Sequence, residues 1–119
     1  GDKSELSLTD EILRKLLNNK SDVFISRRCV KVTAAGLRTV WEDLLNGKFD
    51  GLRIIVSEAV ADELFNLIRA PVENSSEDKI EVEGRVDKST KYEICRGPYL
   101  RNFVSMSRIY EGRRWTSSQ

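Results

Sequence analysis

The chain has 119 residues, 20 Lys and Arg against 19 Asp and Glu, and a formal net charge of +1. This length suits one domain with a single core, and 39% apolar with 33% charged residues fits a soluble folded domain and excludes a disordered chain. The charge balance argues against a large phosphate-binding face. No hydrophobic run reaches membrane length and no signal-peptide pattern is present, so no membrane partner is expected.

Gly1-Asp2 begins the chain without a methionine, which reads as an excised fragment. Ser7-Leu8-Thr9-Asp10 offers N-cap side chains ahead of Ile12, Leu13, Leu16 and Leu17, whose i, i+4 spacing predicts an amphipathic helix. Leu6 and Leu8 are placed to fold back on its first turn. Asn18-Asn19-Lys20-Ser21-Asp22 ends it. After Val23-Phe24-Ile25 and Arg27-Arg28, the alternation in Cys29-Val30-Lys31-Val32 predicts a short strand with one wet face. Thr33 is a good N-cap for a helix from Ala34 to Asn46, and Gly47 suits its left-handed C′ position. Leu37, Val40, Trp41, Leu44 and Leu45 form one face of that helix, with Trp41 read as core.

Leu52-Arg53-Ile54-Ile55-Val56 is the strongest strand, and its nearly continuous apolar run predicts burial on both faces. Ser57 then caps a helix from Glu58 to Ile68, which Pro71 stops. The strand–helix units recur at an offset within the leucine-rich-repeat range, although the asparagine ladder is missing. Residues 72–79 read as an exposed polar linker. Beyond it the period becomes alternating: Ile80, Val82 and Val86 in one strand, Asp87-Lys88-Ser89 as turn, and Tyr92 and Ile94 in the next. A last strand from Phe103 to Tyr110 sets Val104, Met106 and Arg108 on one face, and Phe103, Ser105, Ser107 and Ile109 on the other. That strand is a candidate edge for a peptide to extend.

The fold class expected is therefore α+β: short leucine-rich-repeat-like strand–helix units followed by an antiparallel β meander. It forms a single domain over 1–119, with 6–71 the α/β half, 72–79 the linker and 80–119 the β-rich half.

The sequence has no histidine, which removes the commonest general base, the usual triads and most zinc sites. No GxxxxGK[ST] or GxGxxG loop is present. The carboxylate pairs Glu42-Asp43 and Asp62-Glu63 fall on predicted helix surfaces. Cys29 and Cys95 read as reduced strand residues, which favours a cytoplasmic or nuclear setting. A cation beside a thiol favours thiolate, so Arg96 is expected to lower the pKa of Cys95. With no base or oxyanion device nearby, the reading is a non-catalytic protein with no cofactor and no metal.

From Arg96 onward five arginines face one acid, Glu111, whereas Glu73 to Glu83 holds five acids and one base, Lys79. The arginines mix with aromatics: Arg96, Tyr99, Arg101, Phe103, Arg108, Tyr110, Arg113, Arg114 and Trp115 are the candidate partner-binding residues. Trp, Tyr and Arg dominate protein-binding hot spots. Basic groups with interleaved aromatics also suit single-stranded RNA. The reading is a protein–protein interaction module; nucleic-acid binding and an oligomerisation role are the alternatives.

The order LTDEILRKLLNN, CVKV, TAAGLRTVWEDLLNGKFDGLRIIVS resembles the nematode F-box-associated domain, with Trp41, Gly47, Leu52, Ile54 and Val56 as approximate counterparts. Tyr92, Ile94, Arg96 and Trp115 resemble its closing segment, with Arg96-Gly97-Pro98-Tyr99 in place of its glycine turn. The resemblance implies the substrate-recognition half of a cullin-type ubiquitin ligase receptor. Such a receptor holds a target near the ubiquitin-charged enzyme, and its F-box would lie outside this chain.

Overall fold

The computed structural model describes residues 5–19, 21–69 and 78–110. In chain order they form β1 (Glu5–Leu6), α1 (Asp10–Leu17), β2 (Val23–Cys29), α2 (Ala34–Leu45), β3 (Gly51–Ile55), α3 (Glu58–Arg69), β4 (Lys79–Glu83), β5 (Lys91–Arg96) and β6 (Phe103–Ile109). Six strands make one sheet in the order β1-β2-β3-β6-β5-β4. β1, β2 and β3 run parallel, and β6, β5 and β4 form an antiparallel meander attached to β3 through β6. The architecture is α+β. Among the described residues no helix is long and apolar enough to cross a membrane.

Local chemistry explains the helix ends. Thr9 Oγ1 accepts from the Ile12 amide, Thr33 Oγ1 from Gly36 and Ser57 Oγ from Val60, so each helix begins on a hydroxyl cap. At the end of α2, Gly47 N donates to Leu44 O and Lys48 N to Asp43 O, the paired bonds of a Schellman motif. Gly47 carries the left-handed φ of 78° that this closure needs.

A single core lies between the helices and one face of the sheet. Leu13, Leu17, Leu37, Val40, Trp41, Leu44, Leu45, Ala61, Leu64, Phe65 and Ile68 meet Ile25, Leu52, Ile54, Val104, Met106, Ile94 and Ile80 there. The cross-strand row Leu52, Met106, Ile94, Ile80 runs through the centre of that face. α2 packs against both α1 and α3, and α2 and α3 reach β6.

Several expectations change. The second strand is Val23–Cys29, earlier than Cys29–Val32; Val30 is exposed in the turn that follows. Pairing with β3 begins at Val23 opposite Leu52, so tertiary pairing selects the earlier segment. β3 is buried on one face, since Arg53 is exposed between Leu52 and Ile54. Ile12 and Leu16 are exposed whereas Leu13 and Leu17 are buried, because α1 covers the core with a narrow stripe. Val86 is exposed in the β4–β5 connection. β6 is central, not an edge, because β3 pairs with it from Phe103 to Ser107. The polar linker falls outside the described residues up to residue 77, and Lys79 already belongs to β4.

Candidate functional site

Of the nine residues expected to bind a partner, the six that are described do not share one surface. Arg96 ends β5 on the helix-facing side and is 9% exposed. Its Nη1 lies 2.5 Å from Asp62 Oδ1 of α3, its Nε donates to Arg101 O at 2.6 Å and its Nη2 to Glu58 O at 3.3 Å. Those contacts tie the meander to the start of α3, a positioning role inside the fold. Arg101 pairs at 2.8 Å with Asp78, the residue just before β4, and holds the Asp78 carboxyl below its usual range. Tyr99, 94% exposed, stands in the β5–β6 loop at the same end. Arg108 and Tyr110 lie at the opposite end of β6, with the guanidinium stacked on the ring at 5.1 Å. A strand of this length separates the two ends by about 20 Å. Arg113, Arg114 and Trp115 lie outside the described residues.

Phe103 leads to a different surface. Alternation along β6 turns Phe103, Ser105, Ser107 and Ile109 away from the core. The strand register extends this face sideways in rows. Ile55 lies beside Phe103, and Phe24, Arg53, Ser105, Cys95 and Lys79 form the next row. Ser107, Glu93 and Glu81 form a third, and Ile109, Lys91 and Glu83 a fourth. Each of these side chains is exposed or half-buried, because the helices cover the other face.

The face is divided in chemistry. Its β2–β3–β6 half carries Phe24, Ile55 and Phe103, and Arg53 sits 5.0 Å over the Phe24 ring. Its β5–β4 half carries Glu93, Glu81 and Glu83, with Lys79 between Glu81 at 3.1 Å and Glu93 at 3.4 Å. Small side chains, Ser105, Ser107 and Cys95, separate the halves. Cys95 corrects one expectation. Arg96 points to the opposite face, and burial together with Glu93 pushes the Cys95 thiol up to about 11. It stays protonated at neutral pH. Cys29 is buried, and burial likewise raises its thiol pKa.

The sequence reading missed Phe24, Arg53 and Ile55 as surface candidates. Phe24 lies between Val23 and Ile25 in an apolar run, and neither period nor composition distinguishes its side of the strand. The alternation of Phe103–Ile109 was the available signal: it separates the two faces of β6, but it does not say which one the helices cover.

A groove of about 600 Å³ also runs between α1 and α2, lined by Asp10, Arg14, Lys15, Asp43 and Lys48 among others. Arg14 and Asp43 are joined in a two-pronged pair at 2.8 and 3.1 Å across it, and this pair ties α1 to α2. Among the described residues no group of three or more Cys, Asp or Glu side chains is arranged to hold a metal ion. No family model, curated protein sequence or solved structure matches the chain.

Proposed function

We propose that the protein is a non-catalytic protein-binding module whose contact surface is the uncovered sheet face centred on Phe24, Arg53, Ile55 and Phe103. The observation that carries this reading is the half-apolar row structure of that face. Aromatic side chains and an arginine held over a ring offer desolvatable anchors, the residue types that concentrate binding energy. They sit on strands, which hold their positions better than loops do. The acidic half supplies a polar border with a sign preference, so a partner with an apolar centre flanked by basic groups is the best complement.

The narrower reading, carried by the F-box-associated resemblance, makes the partner a target of a cullin-type ubiquitin ligase. The two strand–helix units β2–α2 and β3–α3 then act as a repeat-like scaffold behind the contact face. Its test is co-purification of the longer protein with both a Skp1-like adaptor and a ubiquitinated target. Recovery of neither removes that narrower reading and leaves the surface assignment standing.

The surface assignment is tested by Phe24→Ser with Arg53→Glu. Both side chains are exposed, so the thermal transition should stay unchanged while capture of the partner drops at least tenfold. Capture that ignores these positions but falls with Tyr99→Ser would move the site to the β5–β6 loop. Single-stranded RNA is the weaker reading, because Arg96 and Arg101 are already engaged with Asp62 and Asp78. It requires binding that weakens steeply with salt.

A further inference from the structure

The two chemistries of the outer sheet face follow the strand directions. Phe24 and Ile55 belong to the parallel strands β2 and β3, and Phe103 lies beside Ile55 where β6 joins them. The antiparallel strands β5 and β4 turn out charged side chains instead, Lys91 and Glu93 on one and Glu81 and Glu83 on the other. Antiparallel sheets commonly leave one face in water, whereas parallel strands are almost always covered on both. The core lies on the helix side alone, and on the outer side Phe24 is 57% exposed. The apolar side chains thus sit where a second layer is the rule, and the charged ones where water is.

Two arginines border the apolar side chains, and they differ. Arg28 opposes Glu5 in the register and pairs with its carboxylate. Arg53 stacks on Phe24, is exposed, and has no carboxylate partner among the described residues. A layer laid over these strands takes the Arg53 guanidinium out of water, and an uncompensated buried charge is costly. The covering element must bring an acid to Arg53, whereas Arg28 already has one.

We propose that this second layer is an amphipathic α-helix of the partner, with its apolar stripe on Phe24, Ile55 and Phe103 and one Asp or Glu beside the stripe against Arg53. The inference rests on the protein-binding reading of this face, and adds the form of the occupant and the place of its acid. Phe24 and Phe103 stand two strands and one row apart, roughly 12 Å, which a helix spans in about eight residues. Apolar side chains one and two turns apart on a helix match that line. A helix also satisfies its own backbone groups, as a layer over side chains must, whereas an extended segment there would leave its own unpaired. Arg53 lies to one side of the line, so the acid borders the stripe on that side and can meet the guanidinium in a two-pronged pair.

The test is selection of displayed peptides on the full chain, from one library of monomeric helices with randomised surface positions and one of extended peptides. Helices should be enriched, with an apolar stripe and Asp or Glu along one border. Arg53→Leu should weaken the best helix about tenfold, because its acid is then buried unpaired. Replacing that acid by Leu in the helix should restore binding to the Arg53→Leu chain. Enrichment of extended peptides alone, of helices indifferent to Arg53→Leu, or of nothing overturns the proposal; if Phe24→Ser still abolishes partner capture, the protein-binding face survives that failure. Helices indifferent to Phe24→Ser overturn both. A dimer in sedimentation that Phe24→Ser abolishes puts a second copy on the face, and a free chain whose thermal transition falls with Phe24→Ser puts a segment of the same chain there. Either result overturns the partner helix.

Discussion

Inside a helix alanine is favoured over glycine by about 1 kcal/mol, so Gly36→Ala in α2 would ordinarily stabilise. Here a methyl group at residue 36 would overlap the Asp10 carboxylate. That carboxylate accepts from Thr33 N at 2.9 Å and Thr33 Oγ1 at 2.6 Å, tying the start of α1 to the cap of α2. Gly36→Ala should therefore destabilise by about 1–2 kcal/mol in chemical denaturation, the scale of charge-assisted hydrogen bonds lost. In an Asp10→Ala background the same change should become neutral or stabilising, and a double-mutant cycle reads the reversal. Asp87 makes a second local prediction. Its carboxylate accepts from Ser89 N, Ser89 Oγ and Thr90 Oγ1, and the Ser89 and Thr90 bonds hold its pKa below the usual 3.8. A depressed folded pKa stabilises fully above the unfolded value, and that contribution is lost as pH falls through the lower folded one. Carbon-detected titration should find Asp87 titrating below its unfolded value, and Asp87→Asn should flatten this part of the acid limb. The thiols also separate: Cys95 should alkylate slowly at neutral pH and accelerate as pH approaches about 11, whereas Cys29 should wait for unfolding.

At the scale of elements, Thr33, Ser57 and Gly47 were legible as caps because their interactions lie within a few residues. Thr33→Ala should cost about 1–2 kcal/mol, at the upper end for a cap because Thr33 also donates to Asp10. Arg96 was not legible. Its position among arginines and aromatics in the sequence resembled a binding cluster, and no local signal marks that β5 delivers it to the start of α3. Asp62, its counter-charge, is itself more than half exposed. Asp62→Ala should nonetheless destabilise by about 1–3 kcal/mol, since it leaves a buried guanidinium with carbonyl partners only. Glu63→Ala, beside it on α3, should stay within about 0.5 kcal/mol, as ordinary surface changes do. Equal effects from the two would remove Arg96 from its positioning role.

For the molecule as a whole, the helix-covered sheet face and the face that is exposed or half-buried among the described residues give opposite mutational behaviour. Phe65→Ala empties a core site and should cost about 3–5 kcal/mol. Phe24→Ser on the other face should stay within about 0.5 kcal/mol, as a surface change does. By itself the sequence determined the helix spans and caps, the β4–β5–β6 meander, and the two faces of β6. These follow from short-range periodicity and local hydrogen-bonding chemistry. Tertiary structure decided which part of residues 23–32 becomes a strand, because β3 selects the segment that pairs with it. It also decided that β6 lies inside the sheet, with β1 and β4 at the two ends of the strand order. Finally, the helices gather on one face, and this alone tells Phe24, Arg53 and Ile55 apart from core residues of the same type. Burial depends on what lies across a sheet, and no alternation along a single strand encodes that.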